Sequence, residues 1–415
     1  MAKETFSSRY PAFRSRDFRL LWTGQLISNI GSQMQIVALN WQIYVLTHSA
    51  IALGLIGLVR VIPIIIFSLF AGVVADAFNR KKVMYVTQTL LLLFSLVLTI
   101  ATYLKFVNPL IIYMTTALSA IALSFDLPAR QAFLPGLVTK EDLSNALSLS
   151  SIMFQTSTVL GPTAAGFLIA RTNIGLVYGL NAVSFLAVII ALYRITNSGK
   201  VIGDKVDVSL KGIQEGITFI KSKTIIWSTM LLDFFSTFFA SATALLPIFA
   251  KDILRVGPEG LGLLYAAPAI GAVIAGSTLA HFKILRKEGI VLLSAVTVYA
   301  MGTIIFGVSH IFFLSFFALL LVGLGDNVST IIRNTVRQLA TPDSIRGRMT
   351  AINMIFFMGG PQLGEFEAGV LASAIGAPGS VIIGGIGTLI VIGVMTLGLP
   401  TLRNFDQKTH IPLSH

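Results

Sequence analysis

The chain alternates long apolar runs with short polar ones, and a helix crossing a bilayer needs about 20 mostly apolar residues. Such runs cover approximately residues 20–46, 51–74, 83–104, 108–126, 145–170, 174–194, 225–249, 259–281, 289–308, 311–332, 346–373 and 378–399. They predict twelve spanning helices, numbered here as spans 1 to 12. Spans 5 and 11 overshoot the minimum, which predicts tilt or an extension past the bilayer. The longest polar stretch, residues 195–223, divides the spans six and six. Its second part, SLKGIQEGITFIKS, places Leu210, Ile213, Ile217 and Ile220 at helical spacing and predicts a short amphipathic surface helix. The expected fold is thus an all-α polytopic membrane protein with two six-helix bundles, residues 1–195 and 224–415, joined by a linker over 196–223.

Composition supports lipid as the main solvent. Of 415 residues, 55% are hydrophobic and 12% charged, against about 25% charged in soluble chains. The absence of cysteine excludes disulfides and thiol chemistry. His48, His281, His310, His410 and His415 form no zinc-binding spacing, Gly199-Lys200 lacks the upstream glycine of a phosphate loop, and no GxSxG occurs. These absences argue against an enzyme, a metal site, a cofactor and an ATP-driven pump.

The net charge of +12 changes the picture through its placement. Twenty-five of the 30 lysines and arginines fall on one side of the predicted spans, four fall on the other, and Arg60 lies within span 2. Such asymmetry is a topology signal rather than a nucleic-acid patch. It places both termini in the cytoplasm of a cell-membrane protein. The first twenty residues are polar and basic, unlike a cleavable signal peptide.

The halves resemble each other. RQAFLPGLVTKEDLSNALSLSSIMF, from Arg130, is similar to RNTVRQLATPDSIRGRMTAINMIFF, from Arg333, and each joins the fourth span of its half to the fifth. Trp22 and Trp227 open corresponding spans. Parallel duplication of this kind is a transporter architecture with a substrate path between the halves.

Between spans 2 and 3 stands GVVADAFNRKK, residues 72–82. It resembles the signature loop of the major facilitator superfamily, with Gly72, Asp76, Arg80 and Lys81 on that pattern. FRLLWTGQLISNIG (Phe18–Gly31), SFDLPARQAFLPGLV (Ser124–Val138) and Gly161-Pro162 resemble the branch containing enterobactin exporters and macrolide-efflux-type proteins. A glycine at position 72 allows close helix approach. Asp76, read as one residue past a helix end, would be favoured by the facing N-terminus of span 11. The resemblance implies that this contact clamps the halves on the cytoplasmic side. The alternative is that Arg80, Lys81 and Lys82 only anchor topology. Two departures from the pattern are Ala77, for a common basic residue, and Asn79, for a common glycine; asparagine also tolerates left-handed backbone.

Ionisable groups within spans cost at least about 2.5–3.5 kcal/mol at the midplane, so each needs a reason. Arg60 in span 2 and Glu365 in span 11 each lie nine residues below the outer boundary, roughly 13 Å deep. The resemblance implies that spans 2 and 11 are neighbours across the two halves, so the two are expected to pair, with Glu367 as substitute partner, and to close the outer side. Alternatively, Arg60 caps carbonyls near Pro63 and the glutamates line a wet cavity. Asp233 in span 7 is a candidate proton carrier or contact for a cationic substrate group, with a structural hydrogen bond as the alternative. Span 1 carries Gln25, Asn29, Gln33, Gln35, Asn40 and Gln42, and such amides need a polar cavity or neighbouring helices. Asp126 with Arg130, and Asp326 with Arg333, read as structural charge networks at the cytoplasmic ends of spans 4 and 10. FFSTFF, Phe234–Phe239, is either an aromatic substrate cage or ordinary packing.

Span 5 holds GPTAAG, with Gly161, Pro162 and Gly166. A glycine-proline pair kinks a helix and permits tight packing. The resemblance is to the span-5 motif of antiporters and implies export; an ordinary kinked helix is the alternative. Thr158 stands where the branch usually carries arginine, and span 4 has no arginine in its apolar part. A proton-driven cycle would then fall to Asp233, Glu365 or Glu367. The expected function is export of an amphipathic small molecule, siderophore-like or drug-like, by a monomer using proton antiport and alternating access. A lipid or nutrient carrier and a non-transporting receptor or partner subunit are the alternatives.

Overall fold

A computed structural model of the chain describes residues 10–199, 210–281 and 287–406. Its long helices follow the spans in order: α1 (Arg16–Thr47), α2 (Ala50–Ala77), α3 (Arg80–Tyr103), α4 (Pro109–Phe133), α5 (Leu143–Arg171) and α6 (Ile174–Arg194), then α7 (Thr224–Phe239), α8 (Gly257–Leu279), α9 (Glu288–Val308), α10 (Phe312–Leu339), α11 (Asp343–Ile375) and α12 (Ala377–Gly398). Among the described residues, ten helical segments are long and apolar enough to cross a membrane. Helices α1 and α11, of 32 and 33 residues, have spanning length but are not among those ten. The amides of α1 account for its lower hydropathy.

The chain forms two compact units, Met1–Leu46 with Ile62–Val206, and Thr47–Val61 with Asp207–His415. The first part of α2, however, belongs to the second unit. Phe18, Leu21, Met84, Phe133, Leu149, Val188 and Leu192 build a core in the first unit, at the end that carries the basic loops. Leu292, Val296, Val328, Ile332 and Leu402 build one in the second.

Helix starts follow local chemistry. Asn79, Asn108 and Asn173 cap α3, α4 and α6, accepting hydrogen bonds from the backbone N–H of Lys82 (3.1 Å), Ile111 (3.0 Å) and Leu176 (2.9 Å). Each such cap contributes about 1 kcal/mol. Asn79 has φ −60°, so it serves the loop as a cap and not through left-handed backbone.

Two span ends differ from the sequence reading. Helix α2 continues to Ala77, because no breaker precedes Asn79, so Asp76 lies inside its last turn rather than beyond it. The side chains of Asp76, Arg346 and Arg348 lie outside the described residues, and with them the expected clamp. Gly72 makes no close approach: a Cβ there would meet open space. Span 7 is also not one continuous helix. It breaks at Ala240 and proceeds through a 3-10 turn (Ala242–Leu245) and a π turn (Phe249–Ile253). Pro247 in that stretch has no N–H to continue the α pattern.

The linker helix Leu210–Ser222 is present where amphipathic spacing predicts it. Ile220 packs with Ile226, Met230 and Met349, whereas Ile217 is exposed. Residues 200–209 lie outside the described residues. The preceding residues are held firmly to the first unit. Lys81 Nζ donates to Ile195 O (2.7 Å), Asn79 Nδ2 to Ser198 O (2.7 Å), the Arg80 N–H to Gly199 O (3.0 Å) and Asn197 Nδ2 to Gly136 O (2.6 Å). Asp17 accepts from Thr196 N (3.0 Å), Thr196 Oγ1 (2.7 Å) and Asn197 N (3.0 Å).

Burial opposes the Asp17 charge, but the bonds from Thr196 and Asn197 and the nearby Arg16 outweigh it and hold the carboxyl below its ordinary value of 3.8. Because the folded pKa is lowered, the stabilisation is fully present above the ordinary value and is lost only as pH falls through the folded one. Amide exchange at Thr196 and Asn197, corrected for intrinsic rates, is therefore expected to show constant protection from pH 7 to 5. Asp17→Ala is expected to reduce that protection at neutral pH. Unchanged protection in the variant would show that Asp17 does not hold the segment.

Candidate functional site

In the second unit, α7 and α10 bring three charges together where the chain is most buried. Asp233 Oδ1 lies 2.8 Å from Arg333 and its Oδ2 lies 3.8 Å from Arg337. All three side chains are at most 2% exposed. The arginines stand one turn apart, so both reach the same carboxylate. Arg333 also donates to Ser329 Oγ (2.6 Å) and Thr330 Oγ1 (2.9 Å). Arg337 donates to Asn334 Oδ1 (2.9 Å), Arg333 O (3.1 Å) and Asn353. Buried charges survive only when paired; here the pairing is uneven, since Asp233 Oδ2 and Arg333 Nε are buried without a hydrogen-bond partner among the described residues. Asp233 is therefore committed to two guanidinium groups and is not a free carboxylate.

Asp326 approaches the same Arg333 at 3.7 Å, yet its side chain is 46% exposed. Helix α10 runs on to Leu339, so Asp326 is the fifteenth of its 28 residues, near mid-helix rather than at the end expected from the apolar run. It is the most exposed member of the cluster.

The first unit solves the corresponding problem with the opposite sign buried. Asp126 on α4 is fully buried and accepts from Thr87 Oγ1 (2.7 Å) and Gln88 Nε2 (2.9 Å). Arg130, one turn on, pairs with it from a partly exposed position. Thr87 and Gln88 were not singled out by the sequence; the available signal was two adjacent polar residues in an apolar run.

The amides of α1 divide into classes. Gln42 donates to Thr102 Oγ1 (3.2 Å) and accepts from Tyr178 (2.8 Å). Gln35 accepts from Ser95 (2.7 Å) and Asn181 (2.7 Å). These two bind neighbouring helices. Asn40 is buried. Gln25 is 2% exposed, and neither of its amide atoms has a partner. Asn29 and Gln33, one turn apart, are half-buried and form no hydrogen bond among the described residues. They are the pair left for a polar cavity. A Cβ at Gly161 would fall on Gln33 Cβ and 2.9 Å from Ile30 O, so the α5 glycine gives α1 its close approach. Pro162 and Gly166 are buried on the same helix.

The first part of α2 packs against α11 through glycine. A Cβ at Gly54 would lie 2.8 Å from Glu365 O, and one at Gly57 would lie 2.8 Å from Glu365 Cβ and 3.0 Å from its Oε2. A Cβ at Gly369 would lie 2.6 Å from Ala50 O. Arg60, one turn beyond Gly57, acts electrostatically on Glu365, but the two form no direct ion pair among the described residues. Glu367 is half-buried. The phenylalanines of α7 interlock with each other and with α11, as in the Phe234–Phe356 edge contact at 6.1 Å. Phe238 lies against Gly364. Both contacts are helix packing.

Buried ion clusters in helices of membrane length, without a nucleophile–base constellation, fit a carrier rather than a catalyst. Comparison with known proteins agrees. Residues 7–415 match the family described as transmembrane secretion effector. The chain is 27% identical over 406 residues to the staphyloferrin A transporter of Staphylococcus aureus (strain NCTC 8325 / PS 47), covering 94% of each. It is 25% identical over 390 residues to the enterobactin exporter EntS of Escherichia coli (strain K12), covering 94% of this chain and 93% of that one. Among solved structures, a bacterial homologue of the human lysosomal transporter Spinster gives a TM-score of 0.75 at 14% identity, covering 94% and 98%. A bacterial homologue of the iron transporter ferroportin gives 0.71 at 16%, covering 92% and 98%. The chain is a multi-pass membrane transporter, not an enzyme, and belongs to the transmembrane secretion effector family of the major facilitator superfamily.

Proposed function

We propose that this chain exports an amphipathic, siderophore-like small molecule from the cytoplasm by proton antiport, as a monomer with both termini cytoplasmic. The observation that carries the reading is near-complete, collinear similarity to an enterobactin exporter and a staphyloferrin A transporter. Asn29 and Gln33 supply hydrogen-bonding groups for a polar solute. Glu365, Glu367 and the Asp233 cluster supply acid groups inside the spans. Within that cluster Asp326 is the member assigned to proton exchange, because its side chain is the most exposed of the four and it shares Arg333 with Asp233. Alternating access would part the α2–α11 seam at one face and the Asp76 loop at the other.

Proteoliposomes with an acidic lumen test this. Protons leaving down their gradient are expected to drive uptake of iron-free enterobactin or staphyloferrin A several-fold above the rate without a gradient. Asp326→Asn is expected to remove the gradient dependence while leaving exchange of substrate across the membrane. Uptake indifferent to the gradient overturns antiport, and absence of flux with either compound overturns the substrate class.

A further inference from the structure

Where α3 begins, the first unit has a surface pocket of about 460 Å³ lined by Asn79, Lys81, Lys82, Tyr85, Val86 and Ser198. Its chemistry is divided. Lys81 is engaged with Ile195 O and Asn79 with Ser198 O. Lys82 is exposed, and its ammonium has no partner among the described residues. On the same face of α3 runs an unbroken apolar stripe. Val86 is 60% exposed, and Leu90, Leu93, Val97 and Ile100 follow at 37–46%. The spacing of 82, 86, 90, 93, 97 and 100 keeps these side chains on one face of a helix. The stripe therefore starts at the rim of the pocket and climbs away from it for about four turns.

We propose that this pocket binds the headgroup of an anionic phospholipid, with one acyl chain laid along the α3 stripe. The Lys82 ammonium supplies the counter-charge for the phosphate. The hydroxyls of Tyr85 and Ser198 supply donors, and Val86 begins the apolar path. A free anion in solution would satisfy the basic part but leave the stripe unused; a neutral lipid would use the stripe but leave Lys82 without its counter-ion. Basic pockets at the ends of spanning helices recognise anionic headgroups on these terms. Ser198 belongs to the short extended segment that Asp17, Asn79, Arg80 and Lys81 fasten to the first unit. A headgroup seated there braces the point from which the linker to the second unit departs. The inference is independent of what the protein exports.

Hydrogen exchange of the full chain in nanodiscs tests it. Discs of phosphatidylcholine alone are compared with discs containing one-third phosphatidylglycerol. Phosphatidylglycerol is expected to slow exchange at residues 195–199 in the wild type. Lys82→Gln is expected to weaken its effect about fivefold, the contribution of one surface lysine, whereas Lys140→Gln, an exposed basic residue elsewhere, leaves it intact. Soluble glycerol phosphate is expected to give no protection. Equal exchange in both discs overturns the site. So does a phosphatidylglycerol effect that survives Lys82→Gln, or full protection by glycerol phosphate, which would make the occupant a free anion.

Discussion

Asp233→Ala is expected to destabilise the protein by about 3–5 kcal/mol, the cost of removing one partner of a buried ion pair. The effect should lie near the top of that range, because two buried guanidinium groups lose their counter-charge at once. Asp326 does not replace it: it sits 3.7 Å from Arg333, farther than Asp233 at 2.8 Å, and its side chain is 46% exposed. Asp233→Asn keeps an acceptor for Arg333 and is expected to cost less than the alanine variant. Arg333→Gln made in the Asp233→Asn background is expected to cost less than in the wild type, since the residues form one unit and their effects are not additive. Thermal unfolding of purified protein, read by loss of the monodisperse peak, measures all four. A loss below about 1 kcal/mol for Asp233→Ala, together with abolished coupling to a pH gradient, would overturn the structural role and restore Asp233 as a proton carrier.

The same cluster shows what the sequence could and could not carry. Helix existence was legible because lipid imposes a length and an apolar composition on each crossing. The linker helix was legible because Ile217 and Ile220 keep a helical period among polar residues. Asp233 and Arg333 were each visible as costly charges, but their partnership was not. They lie on different helices, and no local spacing encodes which faces meet. The i,i+7 relation between Asp326 and Arg333 is local and was legible, and the two stand 3.7 Å apart; the nearer partner of Arg333, Asp233 at 2.8 Å, lies on another helix. The end of α2 was misread because an apolar count stops at the first charge, whereas the helix stops where the chain has a cap, at Asn79. Span 7 was read as continuous because hydropathy is blind to the backbone break at Ala240. The expected Arg60–Glu365 contact came from equal depth together with the neighbouring of spans 2 and 11 that the family resemblance implies. Depth brought the two helices to the right level, and the glycines, not the charges, provide the close contact.

That seam gives the second large effect. Gly54→Val would place its Cβ 2.8 Å from the Glu365 carbonyl oxygen and about 3.1 Å from Gly369 Cα, both of them backbone positions that cannot rotate aside. Over-packing of this kind costs about 1–3 kcal/mol, and only in conformations where the two surfaces touch. A conformation in which α2 and α11 have separated escapes the penalty, so its population is expected to rise by roughly tenfold, the factor that corresponds to 1.4 kcal/mol. The absence of native cysteine makes the measurement clean. A single cysteine in place of Phe366, beside the seam, is labelled by a membrane-impermeant maleimide from the side opposite the basic loops. Labelling is expected to be about tenfold faster in the Gly54→Val background, with Gly54→Ala intermediate. Glu365→Gln with glycine retained is expected to change the rate much less, because the backbone fit rather than the carboxylate holds the seam. Equal labelling in Gly54→Val and its parent, or a larger effect from Glu365→Gln, would show that the charge and not the shape keeps these helices together.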